Sequence, residues 1–297
     1  MRKRKNTRTG AGISWAPVLT ILLAMAVLLL TAGWWYWTHY GISNRAQGQL
    51  EIHMIDVGQG ESILLRSGTE TMLIDTGLRE SGDDVSAYLQ ALGIRKLDRL
   101  LITHDHSDHR GGLRRVLKDI DTRVLMLYDG GDRESGYQLA GELAGSSACD
   151  IAFVEAGQQF PLGEAIVKVV FPTAGYHSDD LNDTSVVLLV ECAGKRVLLT
   201  SDSTAEAEQL YYKELPPIDV LNVGHHGSAD SSSDVFLQHI MPKIALISCG
   251  AQNDYGHPHD RVVQALQKLG TEIYRTDTQG DVVVTLKDGA FTVKTAR

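Results

Sequence analysis

The sequence lacks the cysteines that a disulfide framework or a zinc finger would need. Only Cys149, Cys192 and Cys249 occur among 297 residues, and no two of them have the short spacing of a metal-binding pair. Three cysteines are also too few for a disulfide-rich secreted scaffold. We expect thiol-form side chains in the core, because free cysteine is among the most buried residue types.

Acidic residues are absent from the first 50 positions, which hold six basic ones. Since the whole chain has 28 Lys and Arg and 37 Asp and Glu, the remainder has a net charge of −15. A body this acidic repels polyanions on average, so non-specific nucleic-acid binding is disfavoured unless metals or a local basic patch offset the field. The charge does not exclude a nuclease active site.

Charge is also missing from residues 17–40, a mostly aliphatic run that ends near a Trp and Tyr cluster at 34–37. About 20 apolar residues cross the hydrocarbon core, and Trp and Tyr favour the interface. The sequence predicts one transmembrane anchor, preceded by a basic cytoplasmic tail at 1–16. A linker at 41–50 and an extracytoplasmic body at 51–297 follow. A cleaved signal peptide with a secreted body is the alternative.

The body alternates strand patterns with helix patterns. Apolar spacing predicts helices over residues 85–92, 204–214 and 259–269, among others, and short apolar runs bounded by turn residues predict strands. Such a succession favours two mixed sheets with helices outside them, an α+β fold.

Potential metal ligands are concentrated in one loop directly after an apolar strand pattern. His104, His106, Asp108 and His109 lie within six residues. Side chains so close together at a strand end can converge on metal ions. The imidazoles suit zinc, manganese or iron, and the carboxylates keep harder ions possible.

This loop resembles the ligand motif of the metallo-β-lactamase superfamily. Similarity extends to the stretches at 56–62, 73–77 and 198–202. Further stretches resemble the metallo-β-lactamase domain of the DNA-uptake protein ComEC and its stand-alone relatives: 182–187, 219–228, 255–258 and 276–280. The resemblance covers residues 51 to 295. It implies an αββα sandwich of two mixed β-sheets flanked by helices.

The resemblance also implies two divalent metal ions, Zn²⁺ or Mn²⁺. It assigns His104 and His106 to the first ion, Asp108 and His109 to the second, and Asp202 to both. Two such cations lower the pKa of a water between them and clamp a substrate oxygen. Asp108 would therefore be both a ligand and a catalytic residue.

One position departs from the wider superfamily. A third histidine for the first metal is expected some 20 residues before Asp202, and Asn182 stands there. We expect Asn182 to line the metal site, with a harder and weaker ligand atom. His177 as the ligand, or a purely structural turn, are the alternatives. Asp75 is expected either to orient the ligand loop from behind or to cap its own turn.

The late histidines admit two assignments. We assign His257 to the second metal, and His225, with His226 beside it, to phosphate contact or protonation of the leaving group. The reverse assignment is the alternative. Ser228 and Asn253 are predicted substrate contacts, although Ser228 would also serve as a turn cap.

Together these residues predict a metal-dependent hydrolase. The ComEC-like motifs favour a phosphodiester substrate, with DNA first among them. One alternative is a hydrolase of another ester, a lactone or choline phosphate. A second alternative is a non-catalytic binding module that retains metals at the cell surface. β-Lactam hydrolysis is disfavoured by the context of Asn182 and His225. The membrane is an expected partner through the N-terminal helix, and the sequence indicates no protein partner.

Overall fold

The computed structural model describes residues 49–130, 133–145 and 148–297. Among these residues no helix has the length and apolar character needed to cross a membrane. The predicted span at 17–40 lies outside them.

The first sheet contains eight strands, with all strands numbered along the chain. They are β1 Leu50–Met54, β2 Ile63–Ser67, β3 Glu70–Ile74, β4 Lys96–Ile102, β5 Asp121–Leu127, β6 Asp150–Phe153, β14 Val282–Lys287 and β15 Ala290–Thr295. Their order is β15-β14-β1-β2-β3-β4-β5-β6. Pairing is antiparallel from β15 to β3 and parallel from β3 to β6. The carboxyl ends of β3 and β4 therefore lie side by side.

The second sheet contains seven strands. They are β7 Gln159–Leu162, β8 Ala165–Phe171, β9 Val187–Cys192, β10 Lys195–Leu199, β11 Val220–Asn222, β12 Ile244–Ile247 and β13 Glu272–Arg275. Their order is β13-β12-β11-β10-β9-β8-β7, parallel from β10 to β13 and antiparallel from β7 to β10. Both sheets are mixed, as the sequence predicted.

Helices cover the outer faces. They are α1 Gly82–Ala91, α2 Ser107–Arg110, α3 Leu113–Asp119, α4 Arg133–Ala144, α5 Ala205–Tyr211, α6 Asp234–Ile240, α7 Asp260–Lys268 and α8 Thr276–Gln279. Short 3₁₀ turns lie at Arg79–Ser81, Leu181–Thr184, Tyr212–Glu214 and Gly224–Gly227. Sequence patterns missed α4, α6 and β7, and the short helices α2 and α8.

Three apolar layers hold the sandwich together. The central layer joins side chains of both sheets, such as Ile52 and Leu188. On the outside of the first sheet, α3 buries Leu113 and Val116, which are three residues apart. On the outside of the second sheet, α7 contributes Val262 to the apolar cluster. Such spacing presents one helix face to the core. The predicted αββα layering is confirmed, and Cys192 and Cys249 are buried while Cys149 is half-buried.

Candidate metal centre

The carboxyl ends of parallel strands from both sheets meet at one edge of the sandwich. The loop after β4 supplies four ligand candidates, the turn after β10 supplies Asp202, and the turn after β11 supplies two histidines. A cleft of about 290 Å³ opens there. Its lining comprises Gln59, His106, Ser107, Asp108, Asn182, Asp202, His225, His226, Tyr255 and His257.

A glycine lets the ligand loop lie against the loop before β2. Gly60 has a φ of +136°, and a Cβ atom placed on it would lie 2.4 Å from the carbonyl oxygen of Asp108. The next residue, Glu61, donates its backbone N–H to that carbonyl at 3.1 Å. Any larger residue at position 60 would push this loop away from the centre.

Asp202 lies at the middle of a ring of imidazoles. Its Oδ2 atom is 3.2 Å from Nε2 of His109, 3.6 Å from that of His226, 3.8 Å from that of His225 and 3.9 Å from that of His104. Burial raises the pKa of Asp202, but the surrounding histidines outweigh burial and hold the pKa well below its usual range. The carboxylate is thus kept ionised where a cation would need it.

Two groups of potential ligands share this carboxylate. The first group is His104, His106 and Asp202, and the second is Asp108, His109, Asp202 and His226. Within each group the ligand atoms lie within 4.8 Å of one another. A carboxylate common to two nitrogen- and oxygen-bearing groups is the arrangement expected of a bridging ligand between two divalent ions.

Asp75 fixes the orientation of His109 from behind. Its Oδ2 atom accepts hydrogen bonds from His109 Nδ1 at 2.6 Å and from the Thr103 hydroxyl at 2.7 Å, and its Oδ1 atom accepts one from Thr103 N at 2.9 Å. Burial lowers the pKa of His109, but Asp202 and Asp75 raise it well above its usual value. With Nδ1 engaged, Nε2 is the atom that faces Asp202 and is available to a metal.

His226 is held in the same way. Its Nδ1 donates to the carbonyl oxygen of Ser248 at 2.9 Å, and its Nε2 lies 3.3 Å from Asp108 Oδ2. Burial raises the pKa of Asp108, but His226 and His109 lower it to about 2. The structure therefore groups His226 with the second ligand set, the place to which the sequence assigned His257.

His257 lies on the cleft wall, outside both ligand groups. Its ring centre is 6.1 Å from that of His226 and 5.8 Å from that of His225. Burial and the neighbouring histidines lower its pKa to about 4. Asn253, predicted to contact substrate, accepts from His257 N at 2.9 Å and donates to the carbonyl of His257 at 2.8 Å. The amide of Asn253 is thereby used to shape the loop that carries His257.

The remaining predicted residues divide between cleft and turn. Asn182 lines the cleft, and its Oδ1 atom is buried without a hydrogen-bond partner among the described residues. His177 is exposed and is in neither ligand group. Ser228 is buried, and its hydroxyl accepts from Asp230 N at 3.2 Å, which is the turn-capping role. The geometry therefore favours Asn182 over His177 as the residue that faces the metals.

Several cleft and support residues were not singled out from the sequence. Gln59, Ser107 and Tyr255 line the cleft, and Glu61 is buried behind it with Asn222. The sequence contained a clue to two of them, because Gln59 and Glu61 belong to the stretch at 56–62 that resembles the superfamily. The motif alone does not predict which of its side chains face the cleft.

The residues present fit a pair of divalent cations. Three buried ligand atoms have no hydrogen-bond partner in the part of the chain that the structure describes: His109 Nε2, His226 Nε2 and Asp202 Oδ1. A buried polar atom without a partner is costly, so these atoms call for a positively charged species. Imidazole nitrogens mixed with carboxylate oxygens suit Zn²⁺ or Mn²⁺.

Comparisons with known proteins agree with this geometry. Residues 55–251 match the model of the metallo-beta-lactamase superfamily. The chain is 34% identical to ComE operon protein 3 of Bacillus subtilis, over 82% of this chain and 34% of that protein. It is 30% identical to Recombination protein 2 of Haemophilus influenzae, over 83% of this chain and 30% of that protein. The chain thus spans about a third of the length of these curated relatives.

A solved structure supports the fold at lower identity. The diiron beta-hydroxylase CmlA of Streptomyces venezuelae superposes with a TM-score of 0.54 at 19% identity, over 81% of this chain and 54% of that chain. At that identity the likeness concerns the fold alone.

Proposed function

The chain belongs to the metallo-β-lactamase superfamily, and on that premise we propose that it is a metal-dependent phosphodiesterase that cleaves DNA. One observation carries the proposal: a single carboxylate, that of Asp202, is common to two ligand groups. Such a pair of sites suits in-line displacement at phosphorus. Similarity to proteins named for competence and recombination favours DNA among phosphodiesters.

The metal ions would be held by His104, His106 and Asp202 on one side and by Asp108, His109, His226 and Asp202 on the other. When bound, two cations supply a water of lowered pKa and a positive clamp for the phosphoryl oxygens. Asn182 would add its unpartnered amide oxygen at the edge of the first group.

The protein's own residues keep the ligand atoms aimed at the cleft. Thr103 and Ser185 place their hydroxyl oxygens 3.2 and 3.3 Å from Nδ1 of His104. Asp75 and the carbonyl of Ser248 do the same for the other two buried imidazoles. Holding one ring nitrogen fixes the tautomer and leaves the other as the ligand atom.

His225 is proposed to protonate the leaving group. Its side chain is 23% exposed on the cleft, and its Nε2 atom lies 3.8 Å from Asp202 Oδ2. Attack of water forms one P–O bond and breaks the ester P–O bond; the attacking water loses one proton to the solvent, and the departing oxygen needs one. Nε2 of His225 donates that proton, while His257, whose ring centre lies 5.8 Å from that of His225, contacts the phosphate.

Metal analysis and a nuclease assay test this proposal together. The full-length chain should bind about two Zn²⁺ or Mn²⁺ ions and should hydrolyse both DNA and bis(p-nitrophenyl) phosphate. Asp108→Ala should reduce the bound metal to about one ion and abolish both activities, since Asp108 belongs to only one ligand group. Asp105→Ala is the matched control, because Asp105 lies in the same loop and in neither group.

Other results would overturn the assignment. A metal-loaded chain that hydrolyses lactones or choline phosphate but neither phosphodiester would make it another hydrolase. A metal-loaded chain that is inert toward all of these substrates would make it a binding module. Full activity of Asp108→Ala would exclude the two-metal mechanism.

We also propose that residues 17–40 anchor the body on the extracytoplasmic side of the membrane. The proposal rests on the uncharged run and the basic residues before it. A reporter enzyme fused after Arg297 should be active only outside the cytoplasm. A shortened, released protein would show instead that the segment is a cleaved signal.

A further inference from the structure

A groove lined by basic side chains opens beside the metal cleft. Its volume is about 620 Å³. Five cationic residues line it: Arg79, Arg110, Arg114, Arg115 and Lys118. Four of them fall between positions 110 and 118, a stretch without any acidic residue. This local positive charge contrasts with the net charge of −15 on residues 51–297.

Close packing of two chain segments builds this groove. A Cβ atom placed on Gly111 would lie 2.4 Å from the carbonyl of Ser107 and 2.5 Å from the backbone nitrogen of Arg79. Only glycine therefore allows the turn at Arg79–Ser81 to lie against α2. This contact places Arg79 in the same groove as the cations of α3.

Carboxylates neutralise two of the five cations. Arg110 forms an ion pair with Asp105. Arg115 lies 2.7 Å from both Asp83 and Asp119. These two arginines are committed to interactions within the protein.

The other three cations remain available to a ligand. Arg79, Arg114 and Lys118 are exposed, and no carboxylate of the described residues forms an ion pair with any of them. Arg114 donates one hydrogen bond to the carbonyl of Glu142 at 3.1 Å, which leaves its charge uncompensated. Three unpaired cations on one concave surface favour a ligand with several negative charges.

We propose that this groove binds the phosphodiester backbone of a DNA strand whose scissile bond lies in the metal cleft. Ser107 lines both the groove and the cleft, so the two adjoin at this residue. Arginine binds phosphate through paired N–H groups and lysine through a point charge. The inference rests on the proposed function, and it identifies how an acidic protein holds a polyanion.

An anionic membrane surface fits the groove less well. Interfacial binding combines basic residues with exposed apolar ones. The exposed large apolar side chains among the described residues are Leu181, Leu210, Val235, Met241 and Tyr255, and none of them lines the groove. The groove is also concave, whereas a bilayer surface is flat on this scale.

The test measures binding of a fluorescein-labelled 20-mer phosphorothioate oligothymidylate, whose backbone resists cleavage, to the metal-loaded full-length chain. The variant Arg79→Gln/Arg114→Gln/Lys118→Gln removes the three unpaired cations. The matched control, Lys268→Gln/Lys287→Gln/Lys294→Gln, removes three exposed cations that line neither cleft nor groove. Both variants change the net charge equally, so a difference between them reports on the groove.

The groove variant should bind at least about tenfold more weakly than the control at moderate salt. The slope of log affinity against log salt should fall by up to about 2, because each single-strand phosphate contact contributes about 0.7. Arg79→Lys/Arg114→Lys, which keeps both charges, should retain most of the slope. This charge-keeping variant separates loss of charge from loss of structure.

Equal binding by the groove and control variants would overturn the inference, even if the wild type is an active nuclease. The inference would also be overturned, in favour of a lipid site, if the groove variant bound phosphatidylglycerol vesicles more weakly than the control but bound DNA equally well. If the metal-loaded wild type hydrolyses neither DNA nor bis(p-nitrophenyl) phosphate, the proposed function fails. In that case a binding difference between the variants still supports the groove.

Discussion

Asn222 donates a hydrogen bond from Nδ2 to Oε2 of Glu61 at 2.7 Å, although 161 positions separate them in the sequence. Both side chains are buried. The Oδ1 atom of Asn222 accepts from Thr200 N and Ser201 N, each at 3.2 Å. Because Ser201 has a φ of +47°, which is strained for a residue with a side chain, this turn needs external support. The pair formed by Asn222 and Glu61 therefore holds the turn that presents Asp202.

Asn222→Ala should weaken metal binding without touching a ligand. It removes the support of the Ser201 turn and leaves Glu61 buried without its partner, so the free energy of unfolding should fall by about 1–3 kcal/mol. Metal affinity should fall by about 10- to 100-fold, as for other residues that orient ligands. Urea unfolding and metal titration measure the two effects. Asn253→Ala, in a different loop of the cleft, is the control. Equal losses of metal affinity in the two variants would contradict the role of Asn222 in holding the Asp202 turn.

The two late histidines should differ in metal content. His226→Ala should reduce the bound metal from about two ions to about one, because Nε2 of His226 belongs to the second ligand group. His257→Ala should keep both ions, since His257 lies on the cleft wall. Elemental analysis of the purified variants decides between them. Loss of metal from His257→Ala alone would restore the assignment made from the sequence.

The ligand loop could be predicted from the sequence because its four candidate ligands lie within six residues. A strand pattern followed by His104, His106, Asp108 and His109 predicts both the place and the chemistry of the site. The layered fold followed from the alternation of strand and helix patterns. The segment of α4, Arg133–Ala144, was missed because its two glycines and sparse apolar residues leave no clear helical period.

The division of roles among the late histidines could not be predicted. His225 and His226 have φ values of +51° and +55°, so the backbone turns sharply between them. Neighbouring side chains in that conformation point to different surroundings, and only the tertiary structure decides which one meets Asp108. The hydrogen bonds of the Asn253 amide are local to its loop, and no residue pattern predicts them.

Asp219 should stabilise the fold and contribute little to catalysis. Its carboxylate accepts from Arg196 N at 3.0 Å and from Lys243 Nζ at 2.7 Å. Burial raises the pKa of Asp219, but these hydrogen bonds and the charge of Lys243 outweigh burial and lower it. Because the pKa of Asp219 is lower in the folded state, its carboxylate stabilises the fold at pH values above its pKa in the unfolded chain, about 3.9. This stabilisation is lost as the pH falls through the pKa of Asp219 in the folded state.

Asp219→Asn should therefore lower the free energy of unfolding at pH 7 by about 1–2 kcal/mol. The difference from the wild type should shrink as the pH falls below about 4. Turnover at pH 7 and 25 °C should stay within about twofold, since Asp219 lies in neither ligand group. Denaturant unfolding across this pH range checks the sign. A stability difference that grows toward acid pH would show that the carboxylate acts in another way.

His225→Ala should separate proton donation from metal binding. The side chain of His225 reaches the cleft but belongs to neither ligand group, so both metal ions should remain. A lost general acid costs about 10²- to 10⁴-fold in rate where the leaving group is a poor one, as in DNA. Bis(p-nitrophenyl) phosphate releases a stable phenolate that needs little protonation, so its turnover should fall by less than about tenfold. Rates with both substrates, measured beside metal content, test the role. Equal rate losses on the two substrates with full metal content would show that His225 contacts the phosphate and does not donate the proton.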